Sequence, residues 1–208
     1  MRIGVIGTGT MGKTLARLFS QAKHEVLLGS REAAKGVAAA RELGAGVRGG
    51  RIRDAAEHGE AVLLAVHFAA AKEAIAAAGP LDGKIVMDCT NPLTPDFMGL
   101  TVGHSTSAGE QIASWVPKAK VVKVFNTNFG PALPEPRYGS TEAAAFYCGD
   151  DADAKTRVAG LIRELGLDPV DAGPLENARY LEPLAELIIQ LAYRQQLGPR
   201  LGLALLRR

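Results

Sequence analysis

Hydrophobic residues along this chain fall into two kinds of grouping, short unbroken runs and stripes at helical spacing, and the two alternate from the first residues onward. Residues 3–6 form the first run, and Met11, Leu15, Leu18 and Phe19 then recur on one helical face, so a strand followed by an amphipathic helix is predicted. The same logic predicts a strand at 25–28, an alanine-rich helix at 32–43, a glycine-punctuated exit at 44–50 and a short helix at 52–58. The run at 61–66 is apolar without interruption, which suits a parallel strand buried on both faces, and a helix at 70–78 ends at Gly79-Pro80. Further strands are predicted at 85–88, 121–125, 143–148 and 168–171. Helices are predicted after Ser107 and after Asp151, the first opened by a Ser107/Glu110 capping box. The last stripe runs through Leu181, Leu184, Leu187, Ile188 and Leu191, and Ile189, Tyr193 and Leu197 broaden it into a face wide enough to pack on its own domain and on a second subunit. Strands alternating with helices predict an α/β fold with a doubly wound, mostly parallel sheet, followed by a small C-terminal α/β extension ending in a long helix. Three prolines between residues 131 and 139 mark the joint, dividing the chain into residues 1–135 and 136–208.

Chemistry enters at the strand ends. The first run leads directly into Gly7-Thr8-Gly9-Thr10-Met11-Gly12, and a helix follows. In a strand–G-x-G-x-x-G–helix unit the first glycine allows the tight turn and the second lets backbone approach a pyrophosphate. The third lets the helix pack closely on the strand, while free N–H groups at the helix start point at the anion. That is a Rossmann-type dinucleotide cradle. The second strand should end in a carboxylate if the ribose hydroxyls of NAD were bound. Instead Ser30 and Arg31 stand there, with Lys35 one helical turn on. A hydroxyl and two cations suit a dianionic 2′-phosphate, so the expected cofactor is NADP(H). Ligands of open α/β sheets sit beyond the carboxyl ends of strands. Val66 and His67, Asn91 and Pro92, and Asn126 and Thr127 occupy three such ends, and they are candidates to line a nicotinamide and acceptor pocket. Of these, Asn126, His67 and Thr127 are the candidate catalytic residues.

Composition narrows the partners. The chain of 208 residues carries 24 Lys and Arg against 22 Asp and Glu, so no broad basic field points to nucleic acid. No apolar run is long enough to span a bilayer, and a strand starting at residue 2 leaves no space for a leader, so a cytoplasmic protein is expected. Cys89 and Cys148 form no C-x-x-C pair and are expected to be reduced core residues; no metal site is expected. Asp150, Asp151 and Asp153 are expected to cap a helix.

The glycine turn, Gly29-Ser30-Arg31 with Lys35, Val122-Lys123-Val124-Phe125-Asn126-Thr127, and Asp171-Ala172-Gly173-Pro174-Leu175 together resemble the coenzyme F420-dependent NADP oxidoreductase family, from the first strand to the last helix. The resemblance implies a Rossmann domain binding NADPH through Thr8, Ser30, Arg31 and Lys35, a C-terminal part forming a deazaflavin pocket, and a homodimer. Archaeal deazaflavin enzymes carry a His where this chain has Asn126. Its Phe-Asn-Thr version is similar to the cytosolic domain of STEAP ferric reductases, which passes hydride from NADPH to a flavin. The resemblance therefore implies coenzyme F420 or a flavin as acceptor. Other functions compatible with the residues are reduction of a small carbonyl, imine or quinone substrate, and an NADPH-sensing or partner-binding module without turnover.

Overall fold

A computed structural model describes residues 1–44 and 46–207. One eight-stranded sheet organises the chain, in the order β10-β9-β6-β5-β4-β1-β2-β3. The strands are β1 (Arg2–Ile6), β2 (Glu25–Ser30), β3 (Arg48–Arg51), β4 (Ala61–Leu64), β5 (Ile85–Asp88), β6 (Lys120–Val124), β9 (Ala144–Gly149) and β10 (Asp168–Asp171). A separate two-stranded hairpin, β7 (Arg137–Tyr138) with β8 (Thr141–Glu142), follows in the proline-rich segment. Pairing is parallel from β3 through β6 and antiparallel between β6 and β9, after which β10 pairs parallel with β9. Strand order reverses between β1 and β4, and that reversal opens a crevice at their carboxyl ends.

Side chains along the strands alternate between two cores. Ile3, Val5, Leu63, Met87, Val122 and Val124 pack with Leu15 and Phe19 of α1 (Thr10–Gln21), Ala39 of α2 (Ala33–Leu43), and Val158 and Ile162 of α6 (Ala152–Glu164). Ile6, Val62, Leu64, Val86 and Val121 face the other way. They meet Ile52 of α3 (Ile52–His58), Ile75 of α4 (Phe68–Ala78), Ile112 of α5 (Ala108–Trp115) and Leu181 of α7 (Ala178–Ile189). Helices on both faces of a mostly parallel sheet make the expected doubly wound α/β fold, and the near-continuous apolar runs follow from burial on both sides.

Several local expectations change. Residues 48–51 pair with β2 as a strand, where the expected glycine-marked exit covers 44–50. Periodicity cannot see Arg-Gly-Gly-Arg as a strand because its glycines serve a close approach: a Cβ on Gly49 would sit 2.3 Å from the Gly36 carbonyl of α2. The strand predicted at 61–66 stops at Leu64, so Val66 and His67 belong to the turn, and α4 starts at Phe68 with His67 as its N-cap. Asp151 caps α6 by accepting from Ala154 N at 2.8 Å, whereas Asp150 accepts from Leu175 N at 2.9 Å across the molecule. The last helix changes to a π-helical turn at Gln190–Arg194, and the chain then returns along the sheet edge, where Leu203 O accepts from Ala144 N. Among the described residues no helix is long and apolar enough to cross a membrane.

Candidate active site

The crevice at the switch point is a cleft of about 770 Å³ lined by the ends of β1, β2, β4, β5 and β6 and by α7. Gly7, with φ +119°, makes the turn out of β1; a Cβ there would lie 2.1 Å from Ala65 O. Gly9 is different: nothing lies within 4 Å of where its Cβ would be, so the space above it is open to a ligand. Gly9 is also the N-cap of α1, which has no side-chain cap and no acid in its first turn. Its free N–H groups and dipole therefore suit an anion. Gly12 is buried behind the turn, where a Cβ would strike Gly7 O at 2.0 Å, and it serves helix packing.

At one end of the cleft stand Ser30, Arg31, Glu32 and Lys35, and at the other Val66, His67, Cys89, Thr90, Asn91 and Asn126 to Phe129, with Ala185, Ile188 and Ile189 of α7 as the apolar wall. Of the residues expected to touch a cofactor, Thr8, Thr10 and Met11 also line the cleft, whereas Gly12 and Pro92 do not. Pro92 is buried, and its carbonyl holds Thr101 by accepting from N at 2.7 Å and from Oγ1 at 3.0 Å. His67 is exposed, and its ring lies 5.6 Å from that of Phe97.

Asn91 and Asn126 close the ends of β5 and β6 as a reciprocal pair. Asn91 Nδ2 donates to Asn126 O at 2.9 Å, and Asn126 Nδ2 donates to Asn91 Oδ1 and to Leu181 O, each at 3.0 Å. The preceding residue, Phe125, is fully buried yet has φ +60°, a conformation that costs an aromatic residue about 1 kcal/mol or more. This bend brings 126–128 to the cleft. Thr90 Oγ1, Asn126 Oδ1, Thr127 Oγ1 and Asn128 Oδ1 are buried without a hydrogen-bond partner, and all four residues line the cleft. Orphaned polar atoms at these strand ends, in one cleft with an open-topped glycine turn, fit a polar, dinucleotide-sized ligand.

Beneath this layer lies a cluster that sequence reasoning missed. Lys123, next to last in β6, is fully buried and places its ammonium 2.7 Å from Asp88, 2.8 Å from Glu182 and 2.7 Å from Thr90 O. All three of its protons are used. Glu182 in turn accepts from the N–H groups of Ala108 (2.9 Å) and Gly109 (3.0 Å) at the start of α5, and Asp88 accepts from Thr90 N at 2.8 Å. Burial alone would depress the Lys123 ammonium, but the two carboxylates outweigh it and hold its pKa above the ordinary lysine value. A lysine inside an otherwise apolar strand was the one signal available. The thiols have the opposite fate: burial pushes Cys89 and Cys148 up to about 12, and both are free. Cys89 donates to Leu64 O and offers no nucleophile to the cleft. Among the described residues no three His, Cys, Asp or Glu side chains form a group that could hold a metal.

Residues 2–92 match the model of the family described as NADP oxidoreductase, coenzyme F420-dependent. Over 212 residues the chain is 30% identical to the F420-dependent NADP reductase of Methanothermobacter thermautotrophicus, covering 94% of this chain and 91% of that one. The chain belongs to this family. As a member of the F420-dependent NADP oxidoreductases it is an NADP-dependent oxidoreductase, with the fold that the resemblance implied. A crystal structure from Arthrobacter sp. FB24, provisionally designated an F420-dependent NADP reductase, superposes with a TM-score of 0.91 at 33% identity, and both chains are covered completely. The chain is also 29% identical over 184 residues to the rat metalloreductase STEAP3, covering 88% of this chain and 36% of that protein. It thus spans about a third of STEAP3.

Proposed function

We propose that the protein transfers a hydride between NADP(H) and a deazaflavin such as coenzyme F420, or a flavin. The observation that carries this is the two-ended cleft: a phosphate cradle with Ser30, Arg31 and Lys35 at one end, a polar strand-end cluster at the other, and an apolar helix alongside. The glycine turn and the α1 N-terminus would hold the pyrophosphate, and the Ser30 hydroxyl with the Arg31 and Lys35 cations the 2′-phosphate. Asn91, Asn126 and Thr127 would line the nicotinamide side with His67 at the rim. Residues 136–208 would supply the acceptor-side wall through Ala185, Ile188 and Ile189, whose apolar surface keeps water out. The cofactors supply the redox chemistry; the protein's task is to hold donor and acceptor carbons about 3 to 3.5 Å apart in a dry cleft. That task needs no general acid or base. The relatives' names support F420, and the flavin alternative rests on the STEAP-like segment Phe125-Asn126-Thr127.

Two copies would associate through the outer face of α7, where Tyr180 and Leu187 are exposed on the side away from the cleft, with Leu191 and Tyr193 in the π-helical turn and Leu197 beyond. The deciding experiment follows the NADPH absorption band with F420, FMN, FAD and quinones offered as acceptors. Oxidation coupled to reduction of F420 or a flavin is expected. NADPH binding with no oxidation by any acceptor would overturn the enzyme's proposed reaction in favour of a nucleotide-binding module.

A further inference from the structure

We propose that Glu32 sets the margin by which this protein prefers NADPH over NADH, acting as a competitor for the cation that would hold the 2′-phosphate. The inference rests on the assignment of Ser30, Arg31 and Lys35 to that phosphate. Ser30 ends β2, α2 begins at Ala33, and Glu32 is the N-cap between them. An N-cap side chain ordinarily accepts from the helix's first N–H groups, but that of Glu32 makes no cap hydrogen bond. Its carboxylate is given instead to Lys35, whose Nζ lies 2.5 Å from Oε1, and both residues line the cleft.

The two cations at this end therefore differ. Arg31 is exposed and has no hydrogen-bonded or ionic partner among the described residues, so its guanidinium is free to meet a phosphate. Lys35 is already paired, so a phosphate must either draw its ammonium away from Glu32 or share it with that carboxylate. The carboxylate then stays beside a dianion of its own sign. Both effects weaken NADPH binding. A ribose 2′-hydroxyl makes no such demand: it can donate to the Glu32 carboxylate while Lys35 keeps its partner. Glu32 thus works against NADPH and not against NADH. The pair is about two-thirds exposed on each side, so solvent screens it and the effect is modest. Expressed as affinity it amounts to about two- to fivefold, largest at low salt.

The test is calorimetric titration of NADPH and NADH into the wild-type protein, Glu32→Gln and Arg31→Ala, at low and high salt. Glu32→Gln keeps the side chain's size and removes its charge. It is expected to tighten NADPH about two- to fivefold, to leave NADH unchanged or weaker, and to lose most of this gain at high salt. In a Lys35→Ala background the gain should shrink, because the competing pair no longer exists. If Arg31→Ala abolishes the preference for NADPH while Glu32→Gln leaves the ratio of the two affinities unmoved, the role of Glu32 is overturned and the phosphate assignment stands. If Arg31→Ala weakens both nucleotides equally, the phosphate assignment itself fails.

Discussion

Asn126 meets the cleft with its amide orientation already decided. Leu181 O can only accept, so the atom facing it must be Nδ2, and Asn91 Oδ1 takes the second proton of the same group. Oδ1 is then left buried without a donor. The residue therefore ties α7 to the ends of β5 and β6 and leaves an unpartnered amide oxygen beside the cleft. Asn126→Ala removes both functions while leaving the glycine turn and Arg31 intact. Hydride transfer should slow about tenfold, and NADPH affinity should stay within about threefold of wild type. Rapid-mixing kinetics with the acceptor identified by the screen would check this, and an unchanged transfer rate would take Asn126 out of the site. Sequence position alone nominated Asn126, because it follows an apolar strand at the carboxyl edge. It could not show the reciprocal bond to Asn91, which joins residues 35 apart in the chain. Nor could it show that Phe125 adopts a left-handed backbone to deliver it.

Elements meet at Lys123. One ammonium joins β5 through Asp88 and α7 through Glu182, while Glu182 also takes two N–H groups at the start of α5. The lone positive charge opposes two carboxylates, and the positive end of α5 offsets the remainder. Breaking such a network from one side leaves buried carboxylates without a counter-charge. Lys123→Met should therefore cost about 3 to 5 kcal/mol, read as a fall in the midpoint of chemical denaturation. A midpoint within error of wild type would mean that the cluster does not hold these elements together. The pH dependence follows from the sign of the shift. Because Lys123 has its pKa raised in the folded state, its stabilisation is complete below the ordinary lysine pKa and is withdrawn only as pH rises through the higher folded value. Neutral and mildly alkaline solutions should leave it untouched. Helix periodicity placed α1 from one face, and the Ser107/Glu110 box and Asp151 placed the starts of α5 and α6. It failed at β3, where glycines serve helix packing. It was equally blind to Lys123 and Glu182, whose charges satisfy each other only after β6 and α7, far apart in the sequence, have been brought together.

At the scale of the whole molecule, α7 presents two apolar faces. Ala185, Ile188 and Ile189 wall the cleft, while Leu187, 55% exposed, and Tyr180, 72% exposed, face outward. Exposed apolar groups of this size in register on one helix are best covered by a second copy packed about a twofold axis. Light scattering should give the mass of a dimer, and Leu187→Asp should shift it toward the monomer. A monomeric wild-type protein at micromolar concentration would overturn the assignment. The outward stripe was visible in the sequence as an apolar pattern too wide for one interface, although Leu197 lies beyond the helix, in the chain's return path.

What the sequence determined by itself was local and periodic. Alternating runs and stripes defined a doubly wound α/β sheet, while glycines at fixed spacing after the first strand pointed to a phosphate cradle and Ser30, Arg31 and Lys35 at the second strand end to a 2′-phosphate. Each of these depends on residues close together in the chain, where backbone geometry and side-chain period act directly. The tertiary structure decided the rest. It paired Asn91 with Asn126 and buried Lys123 between two distant carboxylates. It also placed Glu32 on Lys35 where a free cation had been expected. Such contacts depend on which strand ends and helix starts become neighbours, and a three-dimensional arrangement fixes them where a linear pattern cannot.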